Sequence, residues 1–415
     1  MPVFRSFVSA RLLLSAICLA LITAGCSVSA EDVVSIHQTL ETGESESPTH
    51  RFELVQGELP ISEDRLVQFI EFVESETGRA FITPPRIAVQ SIEDFEAGLE
   101  LTDEDLAEAA ADAEVDTRYL QAIGQTSLGP DRLLEVLLEI FSSSELILGY
   151  FDPDEDTLYL PPAGEDNEEF ESTLVHELVH ALDHQHVDLA KFLELAETAD
   201  RERAEGRFEI LTVAEGRASA VENRWMANNG IEPDLDVALE PFADVPPSIL
   251  LSTALPYELG AQMIDGLGGA DDTWYLYDEL PQSGEQAFFP NKLDRDAPVS
   301  MSTPDADGEV LDQGVFGAEA AFLWLIGHTL DPSSDEALAA FTAIDGWRGG
   351  AWVLWGDEDE SCLRGRISAD SARDLDEFAS AFEDWQAGAV GRGVTSDIDV
   401  DGDELQITAC APYIS

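Results

Sequence analysis

Leu174-Val175-His176-Glu177-Leu178-Val179-His180-Ala181-Leu182-Asp183-His184-Gln185-His186 holds four of the chain's seven histidines. At about 100° per residue, His176 and His180 stand about 40° apart on one helix face. Leu174, Leu178 and Leu182, with Val175 and Val179, take the opposite side and can be buried. Two imidazoles one turn apart therefore converge on one point while the apolar back holds the helix to a core. Glu177 lies at the rim of that face, placed to reach water beside a bound ion rather than the ion itself.

The stretch contains H-E-x-x-H, the zinc-protease signature. Five-letter motifs also occur by chance, and a helix carrying solvated histidines is the bland alternative. The apolar backing and an exported context favour a metal site. A mononuclear catalytic zinc needs a third protein ligand and an open position. Two residues compete for that role. Glu215, in Val213-Ala214-Glu215-Gly216-Arg217-Ala218, lies on the next long helix, which is the gluzincin arrangement, and Gly216 would let two helices approach closely. His186 is the rival, because H-E-x-x-H-x-x-D-x-x-H has metzincin spacing with Asp183 in place of the usual glycine, and Asp tolerates a left-handed turn. The helix–Glu–Gly context favours Glu215, although in so acidic a chain a solvated helix carboxylate is its plain alternative.

The acidity is extreme: 85 Asp and Glu against 21 Lys and Arg leave a formal charge of −64 over 415 residues. Phosphates would be repelled over most of the surface, which argues against a nucleic-acid partner. Charge-driven adsorption to anionic lipid is disfavoured for the same reason, and the balance suits a solvated surface in salty surroundings. A hydrophobic fraction of 44% is nevertheless ample for a packed core.

Residues 1–25 have the form of an export signal, with Arg5 and Arg11, no acids, and an apolar run from Leu12 to Thr23. Ile22-Thr23-Ala24-Gly25-Cys26 resembles a bacterial lipobox, with Thr23 departing from the usual leucine. Cys26 is thus expected to carry lipid and to anchor the chain to the membrane of the cell envelope. Plain secretion after cleavage at Ala30 is the alternative. Cys18 leaves with the signal, so Cys362 and Cys410 remain, and export suggests a disulfide between them, with a buried free pair as the alternative.

From Cys26 to residue 60 the chain reads as a flexible acidic tether. Residues 61–230 read as the catalytic domain. It opens with a helix from Ser62 to about Gly78 and a strand Arg86–Val89 after Pro84-Pro85. Helices follow to Ile123 and over Leu133–Phe141, and a hairpin (146–151 with 157–160) turns at Asp152-Pro153. Helices over about 169–182 and 203–226 carry the motif and Glu215. Residues 231–345 read as mostly helical: about 249–267, kinked or split at Pro256, then 315–328 and 335–344. Residues 346–415 read as a small strand–strand–helix unit with a last hairpin. Asp397-Ile398-Asp399-Val400-Asp401-Gly402 has the opening of a calcium loop, but Thr408 stands where the bidentate carboxylate belongs, so a hairpin turn is preferred. The class is α+β, mainly helical.

On these residues the chain resembles a poorly characterised family of bacterial exported, often lipoprotein-type, zinc metallopeptidases of the gluzincin kind. The likeness runs through Gly149-Tyr150-Phe151-Asp152-Pro153, Leu158-Tyr159, His176 to Leu189, Glu215-Gly216, Pro256-Tyr257 with Gly260, Pro281 to Gln286, and Gly346-Trp347 to Trp355. Two departures stand out. The family often has Asp after Glu-Gly, where Arg217 stands here, and Phe289 replaces a histidine of the block S-T-E-Q-x-L-H-P. The resemblance implies a zincin-like metalloprotease core with an edge hairpin before the active-site helix and a small C-terminal β-containing unit. It also implies Zn2+ on His176, His180 and Glu215, Glu177 as general base, and a peptide or protein substrate paired along the hairpin edge. Tyr257 and His328 are the candidates for oxyanion stabilisation. A non-catalytic surface lipoprotein with a structural zinc site is the alternative function, and a binding module for a cationic partner is a third.

Overall fold

A computed structural model describes residues 51–99, 103–141, 149–162, 168–198, 204–231, 245–293, 295–329 and 334–415. The export signal, Cys26 and nearly all of the tether lie outside the described residues. The chain is α+β and mainly helical, with two sheets. No helix among the described residues is long and apolar enough to cross a membrane.

The first sheet positions the histidine helix. Strand β1 (Glu53–Gln56) and helix α1 (Glu63–Thr77) come first, then β2 (Arg86–Val89). The tether expectation is corrected here: residues 53–56 lie parallel on β2, and the Glu53 N–H donates to the Pro85 carbonyl at 2.9 Å. All four β1 residues are exposed, so backbone pairing holds the strand without any apolar pattern to announce it. Helix α1 starts where Ser62 Oγ accepts the Arg65 N–H and stops at Gly78, whose φ of +67° suits glycine. Its Leu66, Phe69, Ile70 and Val73 form the buried stripe.

Helices α2 (Ile92–Leu99), α3 (Asp103–Ala122) and α4 (Pro130–Phe141) follow, then the hairpin of β3 (Tyr150–Asp152) and β4 (Thr157–Leu160). The sheet order is β1-β2-β4-β3, parallel except for the antiparallel edge strand β3. Alternation divides the hairpin between its two faces. Phe151 and Leu158 join the main core, while Tyr150 and Tyr159 stack at 5.1 Å on the other face under Phe95 and Leu99 of α2.

Helix α5 (Glu168–Val187) carries the motif, and α6 (Leu189–Thr198) leads to α7 (Ala204–Asn229). Leu174, Val175, Leu178, Val179 and Leu182 of α5 pack with the sheet residues Ile87, Val89, Leu158 and Leu160 and with the α1 stripe. Helix α8 (Pro247–Gly266) then runs unbroken through Pro256, so of the two expected alternatives, a kink or a split, the split is corrected. Pro256 removes one helical N–H, but α8 is buried along most of its length, and Ser252, whose carbonyl loses that partner, is exposed. Gly216 makes its close approach to α8, where a Cβ would meet the Gly260 Cα at 2.4 Å. Helix α7 therefore lies between α5 and α8.

The remaining elements are α9 (Gly284–Phe288), β5 (Val310–Val315), α10 (Ala318–Ile326), α11 (Asp335–Ile344), β6 (Trp347–Gly356), β7 (Glu360–Ala369), α12 (Ala372–Ala389), β8 (Thr395–Asp401) and β9 (Glu404–Pro412). A second, antiparallel sheet has the order β5-β6-β7-β9-β8. Val315, expected to open a helix, is the last residue of β5, and the helix begins at Ala318. The last hairpin pairs Ile398 with Ile407 and Val400 with Leu405 as expected, and β9 also pairs with β7 along nine residues. Asp397–Gly402 forms the end of β8 and its turn, as the hairpin reading expects. Cys362 and Cys410 stand opposite each other on β7 and β9 and form a disulfide.

The core over this sheet includes Phe316, Trp324, Leu363, Ile367, Phe378, Phe382 and Ile407, together with Ala122, Ile123 and Val136 of the N-terminal half. Gln121 of α3 donates to the Ile414 carbonyl at 2.9 Å and accepts the Ile414 N–H at 2.9 Å, and Arg118 stacks over Tyr413. Helices α3 and α4 thus belong to the C-terminal layer, not to the core around α5. Consecutive segments of sequence do not divide the molecule.

Candidate metal centre

Helix α5 presents His176 and His180, and α7 presents Glu215 and, two turns later, Glu222 on nearly the same face. All four are at most 4% exposed, and Glu177 is fully buried. His176 Nε2 lies 2.9 Å from His180 Nε2, and Glu215 Oε2 lies 3.3 Å from each of them. These three residues are one of two groups among the described residues whose side chains could hold a metal ion. The other contains the disulfide sulfurs of Cys362 and Cys410, which are already bonded to each other.

The donor set fits zinc on two grounds. Bonds of about 2.0–2.1 Å around a tetrahedral ion set its ligand atoms roughly 3.3 Å apart, which matches the spacing here. The tautomer also fits. His176 Nδ1 lies 2.8 Å from Glu222 Oε2, and an ionised carboxylate only accepts. In the tautomer with the proton on Nδ1, His176 donates to Glu222 and the Nε2 lone pair faces His180 and Glu215. A lone pair, a second imidazole nitrogen and a carboxylate oxygen converging in a buried place ask for a cation between them.

Glu177 stands one position after His176 and outside this triangle. Its Oε2 accepts the Phe151 N–H of β3 at 2.9 Å, so the carboxylate is oriented by the edge strand. That bond departs from the expectation that the whole outer edge of β3 is open to a substrate main chain. His184, one turn beyond His180, packs its ring 5.5 Å from the ring of Phe151.

His186 is not brought to the centre. Helix α5 continues past Asp183 to Val187, where the metzincin reading needs a turn. His186 Nε2 instead lies 3.0 Å from the Ala80 carbonyl, and its ring meets Trp274. Asp183, inside that helix, is held by Arg217 through two bonds of 2.9 and 3.2 Å. Arg217, the departure noted after Glu-Gly, is therefore the partner of Asp183.

Tyr257 on α8 lies beside the centre, its ring 6.1 Å from that of His176. His328 does not: it faces Glu336 at 3.1 Å, and burial holds its pKa below the usual imidazole range. Phe289 packs 5.1 Å from Phe341 in the C-terminal layer, so a histidine there would not face this centre. A cavity of about 630 Å³ opens between Gly206, residues 298–301 and the start of β6, and none of the three candidate ligands lines it.

Sequence reasoning passed over Glu222, although its spacing of two turns from Glu215 was a usable signal. It also missed the pairing of Asp183 with Arg217, which no local pattern encodes. Comparison with protein-family models, with curated proteins and with solved structures finds no match to this chain.

Proposed function

We propose that this chain is a zinc metallopeptidase of the gluzincin kind, zincin-like in its core. We also propose that it is exported, and held at the cell envelope by lipid on Cys26. The observation that carries the catalytic reading is the convergence of His176, His180 and Glu215 within 2.9–3.3 Å, with Glu177 oriented alongside by β3. Those three residues would hold the ion. Bound zinc supplies a Lewis acid that polarises a carbonyl and brings the pKa of water to about 7.

The chain's own residues do the rest. Glu222 keeps the His176 proton on Nδ1, so the ring faces the centre in one tautomer. Glu177 accepts a proton from the attacking water and delivers it to the leaving amine. The Phe151 N–H fixes the orientation in which Glu177 does this. Tyr257, whose ring lies 6.1 Å from that of His176, is the candidate to hydrogen-bond a developing oxyanion. A peptide or protein chain is the substrate class, because an edge strand beside a general base suits an extended main chain.

The test is metal content and hydrolysis of an unfolded protein by the purified mature chain, beside Glu177→Gln. The wild type is expected to hold one zinc and to turn over. Glu177→Gln should keep the metal and lose about 10²–10⁴-fold in rate. Full zinc occupancy without turnover in the wild type would favour the structural-zinc lipoprotein instead.

A further inference from the structure

Close to the ligands in sequence, a buried ion pair joins the same two helices. Asp183 stands three residues after His180 on α5, and Arg217 stands two residues after Glu215 on α7. Both side chains are fully buried. The guanidinium makes a fork to the carboxylate, Nε to Oδ2 at 2.9 Å and Nη2 to Oδ1 at 3.2 Å. Its Nη1 donates to the Ala270 carbonyl at 2.7 Å and to Thr273 Oγ1 at 3.0 Å. The Tyr277 hydroxyl donates to Asp183 Oδ2 at 2.5 Å, and Trp274 lies flat against the guanidinium at 4.1 Å.

A buried ion pair is poor value as a source of stability, since well-packed apolar side chains of similar volume often do as well. Its distinctive property is geometry. A planar fork on a carboxylate allows one rotation and one axial offset, whereas Leu against Val tolerates sliding. The covalent connection from α5 to α7 runs through α6 and residues 199–203, too long to fix their register by itself. The centre, in contrast, needs the His180 and Glu215 atoms placed to a few tenths of an ångström.

We infer that Asp183 and Arg217 are positioning residues for the metal centre: their fork sets the register of α5 against α7 and so the gap between the two imidazoles and Glu215. The inference rests on the zinc reading above. The pair stands three residues from His180 and two from Glu215 and acts through the helices, not on ion or substrate.

The experiment is zinc affinity by competition with a chelator, at fixed pH and a temperature where circular dichroism shows the fold intact. The Co2+-substituted absorption spectrum is recorded as a readout of coordination geometry. The variants are Arg217→Lys, which keeps the charge and removes the fork, and Asp183→Asn, which keeps the shape. Tyr277→Phe takes away one bond to Asp183 and serves if either fails to fold. Arg65→Lys is the control, because Arg65 makes a comparable fork to Glu171 that joins α5 to α1 rather than to α7.

Zinc affinity should fall about 10–100-fold in the Arg217 and Asp183 variants, as for other groups that orient metal ligands. Their cobalt spectra should change, while Arg65→Lys matches the wild type in both. Wild-type affinity and an unaltered spectrum in folded Arg217→Lys and Asp183→Asn would overturn the inference and leave the zinc reading standing. A wild-type chain that binds no zinc would instead overturn the reading of the centre, and this inference with it.

Discussion

Gly216→Ala puts a methyl group where α7 crosses α8. The new Cβ would lie 2.4 Å from both the Cα and the carbonyl carbon of Gly260 and 2.7 Å from its oxygen. These are backbone atoms, so no rotamer change relieves the contact, and ordinary van der Waals separation requires the helices to part by about 1 Å. Overpacking of this kind costs about 1–3 kcal/mol, and a rigid backbone neighbour puts the value near the upper end. Against it stands a gain of about 1 kcal/mol from replacing glycine with alanine inside a helix. The balance is a loss of about 2 kcal/mol.

Gly266 supplies the control, since it lies on the same α8 with nothing within 4 Å of a would-be Cβ. Gly266→Ala should therefore be neutral or stabilising by up to about 1 kcal/mol. Urea unfolding of the metal-free protein, followed by circular dichroism with a common slope, compares the two variants directly. The expected gap between them is about 2–3 kcal/mol. Gly216→Ala as stable as Gly266→Ala would refute the close crossing of α7 and α8, and with it the placement of Glu215 next to a tightly packed helix pair.

Three further expectations are open to measurement. Zinc affinity should drop sharply in Glu215→Ala and barely move in His186→Ala; the reverse order would return the third-ligand role to His186. Burial pushes the Glu319 carboxyl from the ordinary 4.5 up to about 7. The folded state then holds a proton that the unfolded state releases, so wild-type stability falls as pH rises from about 4.5 to about 7 and levels off above. Glu319→Gln should reduce that slope by its share, on the order of a few kcal/mol, when urea midpoints are compared across pH 5–8, while the raised carboxyls of Asp116 (about 6) and Glu285 (about 8) keep the remainder. An identical slope in the variant would show that Glu319 is ionised throughout. The disulfide of Cys362 and Cys410 closes a loop with a sequence separation of 48, worth about 4 kcal/mol in the chain-entropy account. The double serine variant should lose up to that amount in urea unfolding, and a loss under about 1 kcal/mol would show that residual structure in the unfolded chain already confines the loop.

Features governed by neighbours within a few residues were readable from the chain alone. Ser62 and Gly78 bound α1 because a cap and a left-handed turn are local chemistry. His176 and His180 share a face because four residues make about one turn, and the valines and leucines behind them show which side is inward. The hairpin of β3 and β4 follows from two apolar runs around an Asp-Pro turn, and the pairing of Cys362 with Cys410 from their being the two cysteines outside the expected signal and lipobox.

What the chain alone did not show depends on partners far away in sequence. Strand β1, wholly exposed, and β5, with three of its six residues exposed and none buried, have no inward pattern to betray them and exist because β2 and β6 offer backbone partners. Pro256 reads as a break, yet α8 is enclosed by enough packing to absorb one missing hydrogen bond. Helices α3 and α4 precede the histidine helix but join the C-terminal sheet, since buried area and not chain order selects what a helix face covers. Donor types and their spacing within one helix were thus determined by the sequence. The tertiary structure decided that Glu215 rather than His186 joins the two histidines, because α7 brings the Glu215 carboxylate within 3.3 Å of both and α5 continues to Val187 where a turn would have been needed to bring His186 inward.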